Sequence, residues 1–271
     1  MEYDLLIKNG SVIDGTGSAT KQADLGIKDG IIVSIGQVEG EALETIDAKD
    51  LVVSPGFIDI HTHFDPQLCW DGHATPSIEH GITTVVTGNC SLSLAPIKGK
   101  EDVDKIVSMF SVIEDIKKTT LDEAVPFSWQ SFPEYLDHIR PKLGINVGAL
   151  IGHSAIRLFV MGPESQEREA TQEEISKMCD IVKEAMRAGA LGISHEGPIT
   201  ASREDGAGQL WRVRALKLHR VRPAITAASQ GCQHRASEPH ETAVRIKFVG
   251  DCRRFVCVSW KHVEDCSGKK R

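Results

Sequence analysis

Residues 54–72, SPGFIDIHTHFDPQLCWDG, place two histidines at the end of an apolar run. The run follows a Pro-Gly pair and predicts a β-strand, with His61 and His63 two residues apart. Side chains two apart on a strand point to the same face, so the two imidazoles are expected to project together. Such a pair can bind zinc, although His-x-His also occurs by chance in chains that bind no metal. Asp59, one step further back on this face, would either orient a ligand or pack as a polar group.

A second apolar run carries the next candidate ligand. GITTVVTGN, residues 81–89, predicts a strand, and Cys90 follows at its carboxyl end. A thiolate there can join the two histidines around zinc, because metal coordination deprotonates the thiol. The other interpretation is a buried cysteine that packs as a small hydrophobic side chain, and the residues alone leave both open.

Strands alternate with helices along residues 56–210. Residues 101–118 place apolar side chains on one helical face, and residues 131–139 begin a helix with proline in its first turn. Thr171 and Glu174 form a capping box before a helix that ends at Gly189. The predicted strands are FIDIHTH (57–63), GITTVVTGN (81–89), GINVGALIGH (144–153) and ALGIS (190–194). This alternation indicates a parallel sheet or barrel, and in a barrel the carboxyl ends of the strands carry the chemistry.

Residues 1–55 predict a small β-domain. Two β-rich runs are broken by Asn-Gly and Asp-Gly pairs, which are strong hairpin signals, and a third run ends at a Pro-Gly pair. We expect this domain to be a structural platform.

The bulk composition bounds the class of protein. The chain has 271 residues, 41% of them hydrophobic, which is enough for one large domain or two smaller ones. No apolar run approaches the roughly 18 to 20 residues that a membrane-spanning helix requires. The acidic start of the chain is unlike a secretory signal peptide. Seven cysteines at scattered spacings do not suggest a disulfide framework, so a reducing cytoplasm and no membrane partner are expected.

The composition changes sharply near Leu210. Residues 1–210 contain 17 Lys and Arg against 33 Asp and Glu, whereas residues 211–271 contain 14 against 5. No helical or strand period is sustained beyond this point. We interpret residues 211–271 as an unmatched basic tail, either disordered or translated after a change of reading frame.

The tail also supports a different interpretation. Cys252, Cys257, His262 and Cys266 have the spacing C-x₄-C-x₄-H-x₃-C, which resembles a zinc knuckle in a basic, nucleic-acid-binding segment. The first spacing is longer than that of a usual knuckle, and aromatic residues for base stacking are few, so nucleic acid is the less favoured partner.

Four segments together resemble the D-aminoacylase branch of the amidohydrolase superfamily, the N-acyl-D-amino-acid deacylases, over residues 1 to about 210. They are VVSPGFIDIHTHFDPQLCWD, HGITTVVTGNCSLSLAP, NVGALIGHSAIRLFVMG and MRAGALGIS. The resemblance implies an α/β chain with an N-terminal β-sandwich-type domain and a (β/α)₈ metal-dependent hydrolase barrel. It also implies that His61, His63 and Cys90 belong to one zinc site.

The resemblance further implies a reaction. Zinc lowers the pKa of water toward about 7, and the hydroxide attacks the linear amide of a small-molecule N-acyl-D-amino acid. An aspartate late in the barrel moves the proton to the leaving amine. Arg157, in a loop after the third strand, would bind the substrate carboxylate or else anchor the loop. His153 would line the pocket as a hydrogen-bonding residue.

The chain departs from this family after Leu210. Residues 56–210 supply about four of the eight strand–helix units, so the barrel is expected to be incomplete. The family's later histidines and catalytic aspartate have no match in residues 211–271. The histidines of this segment do not lie in strand-end contexts like those of the family; they are His219, His234, His240 and His262. We therefore expect a truncated, inactive member of a zinc-dependent hydrolase family that acts on linear amides. The alternatives are a cyclic-amide hydrolase of the dihydroorotase or hydantoinase kind, and a non-catalytic fragment whose tail binds zinc or nucleic acid.

Overall fold

The computed structural model describes residues 2–195 and the backbone of two short strands near the carboxyl end of the chain. The first of two sheets has seven strands: β1 Tyr3–Val12, β2 Lys21–Lys28, β3 Ile31–Gly36, β4 Ala42–Asp47, β5 Val52–Pro55, β10 Ala243–Ile246 and β11 Phe255–Lys261. Their order is β10-β11-β5-β1-β2-β3, with β4 paired to β1 beside β5. The strands of the predicted N-terminal β-domain thus share one sheet, and a sandwich of two sheets stays a prediction.

The two Gly-containing hairpin signals have different outcomes. Asp29 and Gly30 adopt positive φ angles of 51° and 75° and connect antiparallel β2 and β3, as a two-residue hairpin requires. The hairpin predicted at Asn9-Gly10 is wrong. β1 continues through this pair, and a register shift against β2 between Ile7 and Gly10 absorbs the left-handed Asn9 as a bulge.

Two strands lie in the part of the chain where the sequence predicted none. β11 pairs in parallel with β5, and β10 pairs antiparallel with β11. Both are rich in β-branched or aromatic residues, and the backbone groups of β11 find hydrogen-bond partners along the edge of β5 that β1 leaves free, whereas those of β10 find theirs along β11. The origin of residues 211–271 stays a prediction, since the rest of this region lies outside the described residues.

The second sheet is parallel and has the strand–helix alternation that the sequence predicts. Its strands are β6 Phe57–Asp59, β7 Ile82–Thr87, β8 Asn146–Gly152 and β9 Gly192–Ser194, in that order across the sheet. The helices are α1 Lys100–Ile113, α2 Lys118–Ala124, α3 Phe132–Ile139, α4 His153–Met161 and α5 Gln172–Arg187. Each pair of neighbouring strands is parallel, so the carboxyl ends of all four strands meet at one edge. The described residues 57–194 thus form a curled, partial parallel sheet, and the bounds 56–210 of the part-barrel stay a prediction.

Helix boundaries follow the capping signals. Thr171 and Glu174 form the predicted capping box at the start of α5, and Ser131 and Glu134 form a second one at α3. The helix predicted over residues 101–118 is wrong in length, because α1 ends at Ile113 and the left-handed Asp115 (φ 54°) turns the chain toward α2. None of the five helices in the described part of the chain has the length and apolar character that crossing a bilayer requires.

The largest core lies between the parallel sheet and its helices. Its fully buried members include Phe110 of α1, Tyr135 of α3, Ile151 of β8 and Ile156 of α4. A smaller core on the first sheet is formed by Leu5, Ile7, Leu25, Ile27, Ala48 and Val53. Rigid packing beneath the carboxyl edge of the parallel sheet holds the segments that follow its strands.

The edge strand β6 leaves apolar side chains in contact with solvent. Phe57, Ile58 and Ile60 are 51%, 63% and 73% exposed, and among the described strands β6 pairs only with β7. An exposed apolar edge strand promotes self-association. We expect the purified chain to form concentration-dependent oligomers in sedimentation velocity, and Ile58→Lys with Ile60→Lys to shift it toward monomer. A wild-type chain that sediments as one monomeric species at all concentrations would contradict this expectation.

Candidate metal centre

His61 and His63 lie just beyond the end of β6. The strand predicted over residues 57–63 ends early, at Asp59, because the Asp59 carboxylate accepts the backbone N–H of His61 at 3.2 Å and draws it off the sheet ladder. The segment nevertheless stays beside β7, since the backbone N–H of Thr62 donates to Val86 O at 3.0 Å. Asp59 therefore acts on the His61 backbone, which is consistent with an orienting role.

Cys90 sits in a tight turn after β7. Gly88, Cys90 and Ser91 have left-handed backbone, with φ angles of 77°, 53° and 65°. The Asn89 amide donates to the carbonyl oxygens of Thr62 and Val86, at 3.1 and 2.9 Å. These bonds tie the turn to the histidine segment, so the Cys90 thiol faces the His61 ring.

Three side chains converge at this edge of the sheet. His61 Nε2 lies 3.2 Å from Cys90 Sγ, and the candidate ligand atoms of His61, His63 and Cys90 all lie within 4.8 Å of one another. Zinc with tetrahedral sulfur and nitrogen ligands at its usual bond lengths separates those two atoms by about 3.6 Å. The residues present therefore fit a zinc ion, and His61 is the most exposed of the three.

A carboxylate that the sequence analysis did not single out lies against His63. Glu114 Oε1 is 3.6 Å from His63 Nε2, with the two side chains 26% and 12% exposed. The sequence signal was available, because Glu114 follows Val107 and Phe110 on the apolar face of α1, where an acidic residue is out of place.

A second overlooked carboxyl holds the turn in place. Asp65 is 1% exposed and accepts the backbone N–H of Gly88 at 3.0 Å, while Tyr135 Oη donates to its backbone carbonyl at 3.2 Å. Burial raises the pKa of Asp65 to about 7, and the negative charge of Glu114 makes a smaller contribution to this shift. Asp65 thus fastens the segment after β6 to the turn after β7.

Two histidines meet at the carboxyl ends of β8 and β9. His153 begins α4 and is buried, and its Nδ1 lies 3.1 Å from Nδ1 of His195, which was not singled out from the sequence. Burial lowers the pKa of His153 to about 3, with smaller contributions from His195 and Arg157. His153 is therefore neutral at neutral pH, and a hydrogen bond between the rings makes one nitrogen the donor and the other the acceptor. A pocket-lining role for His153 stays a prediction.

Arg157 is not in a loop, as the sequence suggested, but in α4. The apolar segment that follows β8 continues directly into this helix and buries the Arg157 side chain. Its guanidinium donates to the carbonyl oxygen of Ser165, from Nε at 3.0 Å and also from Nη2, and to that of Arg168 at 3.0 Å. These contacts are those of the loop-anchoring alternative, and binding of a substrate carboxylate by Arg157 stays a prediction.

The lowered pKa of His153 gives a testable pH dependence. Between about pH 6.5 and pH 3 the unfolded chain binds a proton that the folded chain does not, so this group makes stability fall as pH falls. From pH 7 to pH 4 we expect His153→Gln to lose less free energy of unfolding than wild type, by about 3 kcal/mol. Asp65 has the opposite effect on stability, which is lost as pH rises through about 7. Because wild type and His153→Gln both contain Asp65, its contribution cancels in the comparison.

Urea unfolding at several pH values measures this difference. The exposed His80→Gln variant is the matched control and should follow the wild-type slope. Parallel pH profiles for wild type and His153→Gln would show that His153 does not titrate as its burial requires.

Comparison with known proteins identifies the family. The amidohydrolase family model matches residues 44–241, which include the histidine segment, the Cys90 turn and all four parallel strands. The chain belongs to the amidohydrolase family. A D-aminoacylase from Alcaligenes xylosoxydans xylosoxydans is 41% identical over 194 residues, which is 71% of this chain and 37% of that enzyme.

Two solved structures share the family fold of this chain. A D-aminoacylase with a binuclear metal centre has a TM-score of 0.60 at 37% identity, over 70% of this chain and 38% of the other. An N-acyl-D-glutamate deacylase from Bordetella bronchiseptica, in complex with zinc and a phosphonate mimic of the tetrahedral intermediate, has a TM-score of 0.55 at 33% identity, over 71% and 38%. The chain thus spans less than two fifths of the length of these relatives.

Several residues named in the sequence analysis lie outside the described residues. They are His219, His234 and His240, and the knuckle positions Cys252, His262 and Cys266. Cys257 lies in β11, for which only the backbone is described. A metal-binding role for the tail stays a prediction.

Proposed function

We propose that this chain carries a zinc-binding part of a D-aminoacylase-type hydrolase, with His61, His63 and Cys90 as ligands. The observation that carries the proposal is the convergence of these three side chains within 4.8 Å at the carboxyl edge of the parallel sheet. Imidazole and thiolate are the donors that zinc prefers, and three protein ligands with one open position are typical of catalytic zinc. The family match supports the assignment, since its relatives include zinc-containing deacylases.

The chain's own residues would prepare the site for an amide substrate. Zinc bound there would supply Lewis acidity, polarising a carbonyl and making water more acidic. Two hydrogen bonds, from the Asn89 amide to Thr62 O and from the Gly88 backbone N–H to the Asp65 carboxylate, connect the histidine segment to the Cys90 turn. The ligand atoms are therefore already close together before a metal binds. His153 and His195, whose Nδ1 atoms lie 3.1 Å apart, provide hydrogen-bonding groups at the neighbouring strand ends.

The substrate class follows from the relatives. D-Aminoacylase, N-acyl-D-aspartate deacylase and N-acyl-D-glutamate deacylase are 41%, 34% and 33% identical to this chain over the matched residues. Their names share a D-amino acid, which the last two give as N-acylated. We propose the linear amide of such a small molecule as the bond cleaved by the intact enzyme type. A cytoplasmic location stays a prediction.

We propose that the 271-residue chain binds zinc without turning over substrate. Residues 2–195 contain no match for the late-barrel aspartate or the two later histidines that the family resemblance implies. Proton transfer by a placed side chain contributes roughly 10² to 10⁴ in rate and a correctly held metal contributes more, so losing both should take turnover below detection.

An amine-release assay with N-acetyl-D-amino acids tests this proposal. We expect the zinc-loaded chain to bind one zinc ion and to release no more D-amino acid than Cys90→Ala or a chelator-treated sample. Chelator-sensitive deacylation by the chain itself would contradict the proposed inactivity and show that further residues complete the site. Absence of zinc binding would contradict the proposed metal site.

The alternatives remain open to the same assay. A cyclic-amide hydrolase would open a hydantoin or dihydroorotate ring and leave N-acetyl-D-amino acids untouched. No contact within residues 2–195 favours a cyclic over a linear amide. A non-catalytic fragment with a nucleic-acid-binding tail would bind nucleic acid and release it as salt is raised.

A further inference from the structure

We propose that Glu114 is a positioning residue of the metal site, where its carboxylate holds the His63 ring and strengthens binding of the cation. The inference rests on the proposed function, since it assumes that His63 is a zinc ligand. It is carried by the 3.6 Å approach of Glu114 Oε1 to His63 Nε2 between two largely covered side chains.

The end of helix α1 places Glu114 against His63. The backbone N–H of Glu114 donates to Phe110 O at 2.9 Å, and Phe110 and Ile106 anchor the helix in the core at 1% and 0% exposure. Asp115 then turns the chain through left-handed backbone toward α2. Glu114 thus caps a helix that is fixed in the core, so packing of the helix sets the direction of its side chain.

The chemistry of the contact favours a role in metal binding. A carboxylate that faces the ring nitrogen not bound to the metal fixes the orientation of a ligating histidine and raises its basicity, so Glu114 would act in this way on Nε2 with zinc held by Nδ1 of His63. Its negative charge also lies close to the position of a divalent cation, in a site where solvent screens it only in part. The alternative role for Glu114 is to cap α1. Its backbone N–H already does this by donating to Phe110 O, and that role requires neither a negative charge nor a side chain close to His63.

Zinc affinity of the full chain, measured by competition with a chromophoric chelator, tests the inference. We expect Glu114→Ala to weaken zinc binding by about 10- to 100-fold, as loss of a ligand's carboxylate partner typically does. Glu114→Gln keeps the shape and one acceptor oxygen but removes the charge, and we expect an intermediate loss. Glu101→Gln is the matched control, since this carboxylate lies on the same helix, 70% exposed and paired with Lys105.

The outcomes separate the inference from the proposed function. Weaker zinc binding by both Glu114 variants, with an unchanged Glu101→Gln and unchanged melting of the zinc-free proteins, supports the positioning role. A wild-type affinity in Glu114→Ala, or an equal loss in Glu101→Gln, overturns it while the metal site stands. Failure of the wild-type chain to bind zinc overturns the metal site and the inference together.

Discussion

Replacing Cys90 with alanine should abolish tight zinc binding while the fold stays intact. The thiolate is one of three proposed ligands, and its removal leaves two imidazoles, too few to close a zinc site. The loss should exceed the roughly 10- to 100-fold effect of removing an outer partner. Residue 90 has a left-handed backbone with φ 53°, in which the strain arises from the Cβ atom. Alanine and cysteine both carry a Cβ, so the substitution should not add strain to the turn.

Chelator competition measures this loss, and a second cysteine provides the control. Cys179 on α5 is half-buried like Cys90 but does not belong to the three-residue cluster. Cys179→Ala should therefore keep the wild-type zinc affinity. If Cys90→Ala also keeps it, the thiol is not a ligand and the proposed centre is wrong.

Gly88→Ala should cause the largest loss of stability expected here, about 2 to 4 kcal/mol. The residue has φ 77°, which costs a side chain about 1 kcal/mol, and a Cβ would lie 2.0 Å from the backbone oxygen of Leu150. Backbone cannot move aside as a side-chain tip can, so β7 and β8 must separate locally, at a typical overpacking cost of about 1–3 kcal/mol. Zinc affinity should fall as well, since Cys90 lies two residues along the same turn.

The contribution of the steric clash can be isolated by a second glycine. Gly17 has a similar φ of 85°, but a Cβ added there would meet nothing within 4 Å, so Gly17→Ala should lose only about 1 kcal/mol. Urea unfolding of both variants gives the comparison. Equal losses of unfolding free energy in the two variants would show that the Leu150 backbone can move away from residue 88 without destabilising the fold. The close approach of the ends of β7 and β8 would then not contribute to stability.

The part of the fold that repeats along the chain was predictable from the sequence. Strand–helix alternation and the Thr171–Glu174 capping box are local patterns, and all four parallel strands and α5 appear where those patterns place them. Predictions failed where a tertiary contact overrides a local signal. The Asn9-Gly10 pair became a bulge because β1 is paired on both edges, and the strand before His61 ends early because the Asp59 carboxylate captures a backbone N–H.

The sequence predicted the proposed metal ligands but not the residues that contact them or lie at the neighbouring strand ends. The spacing of His61 and His63 alone indicated a candidate ligand pair, whereas Cys90 was favoured as a ligand only after the family resemblance was considered. Glu114 and His195 come from segments far from His63 in sequence, so only the folded chain shows what they face. An acidic residue on the apolar stripe of a helix is the one local signal that pointed to Glu114.

X-ray absorption at the zinc edge of the zinc-loaded chain tests the central claim most directly, because it counts the ligand types around the ion. A site made by His61, His63 and Cys90 predicts one sulfur at about 2.3 Å and at least two nitrogen or oxygen atoms at about 2.0 to 2.1 Å. The sulfur should disappear in Cys90→Ala and remain in Cys179→Ala. A shell without sulfur, or with two or more sulfurs, would contradict the proposed centre.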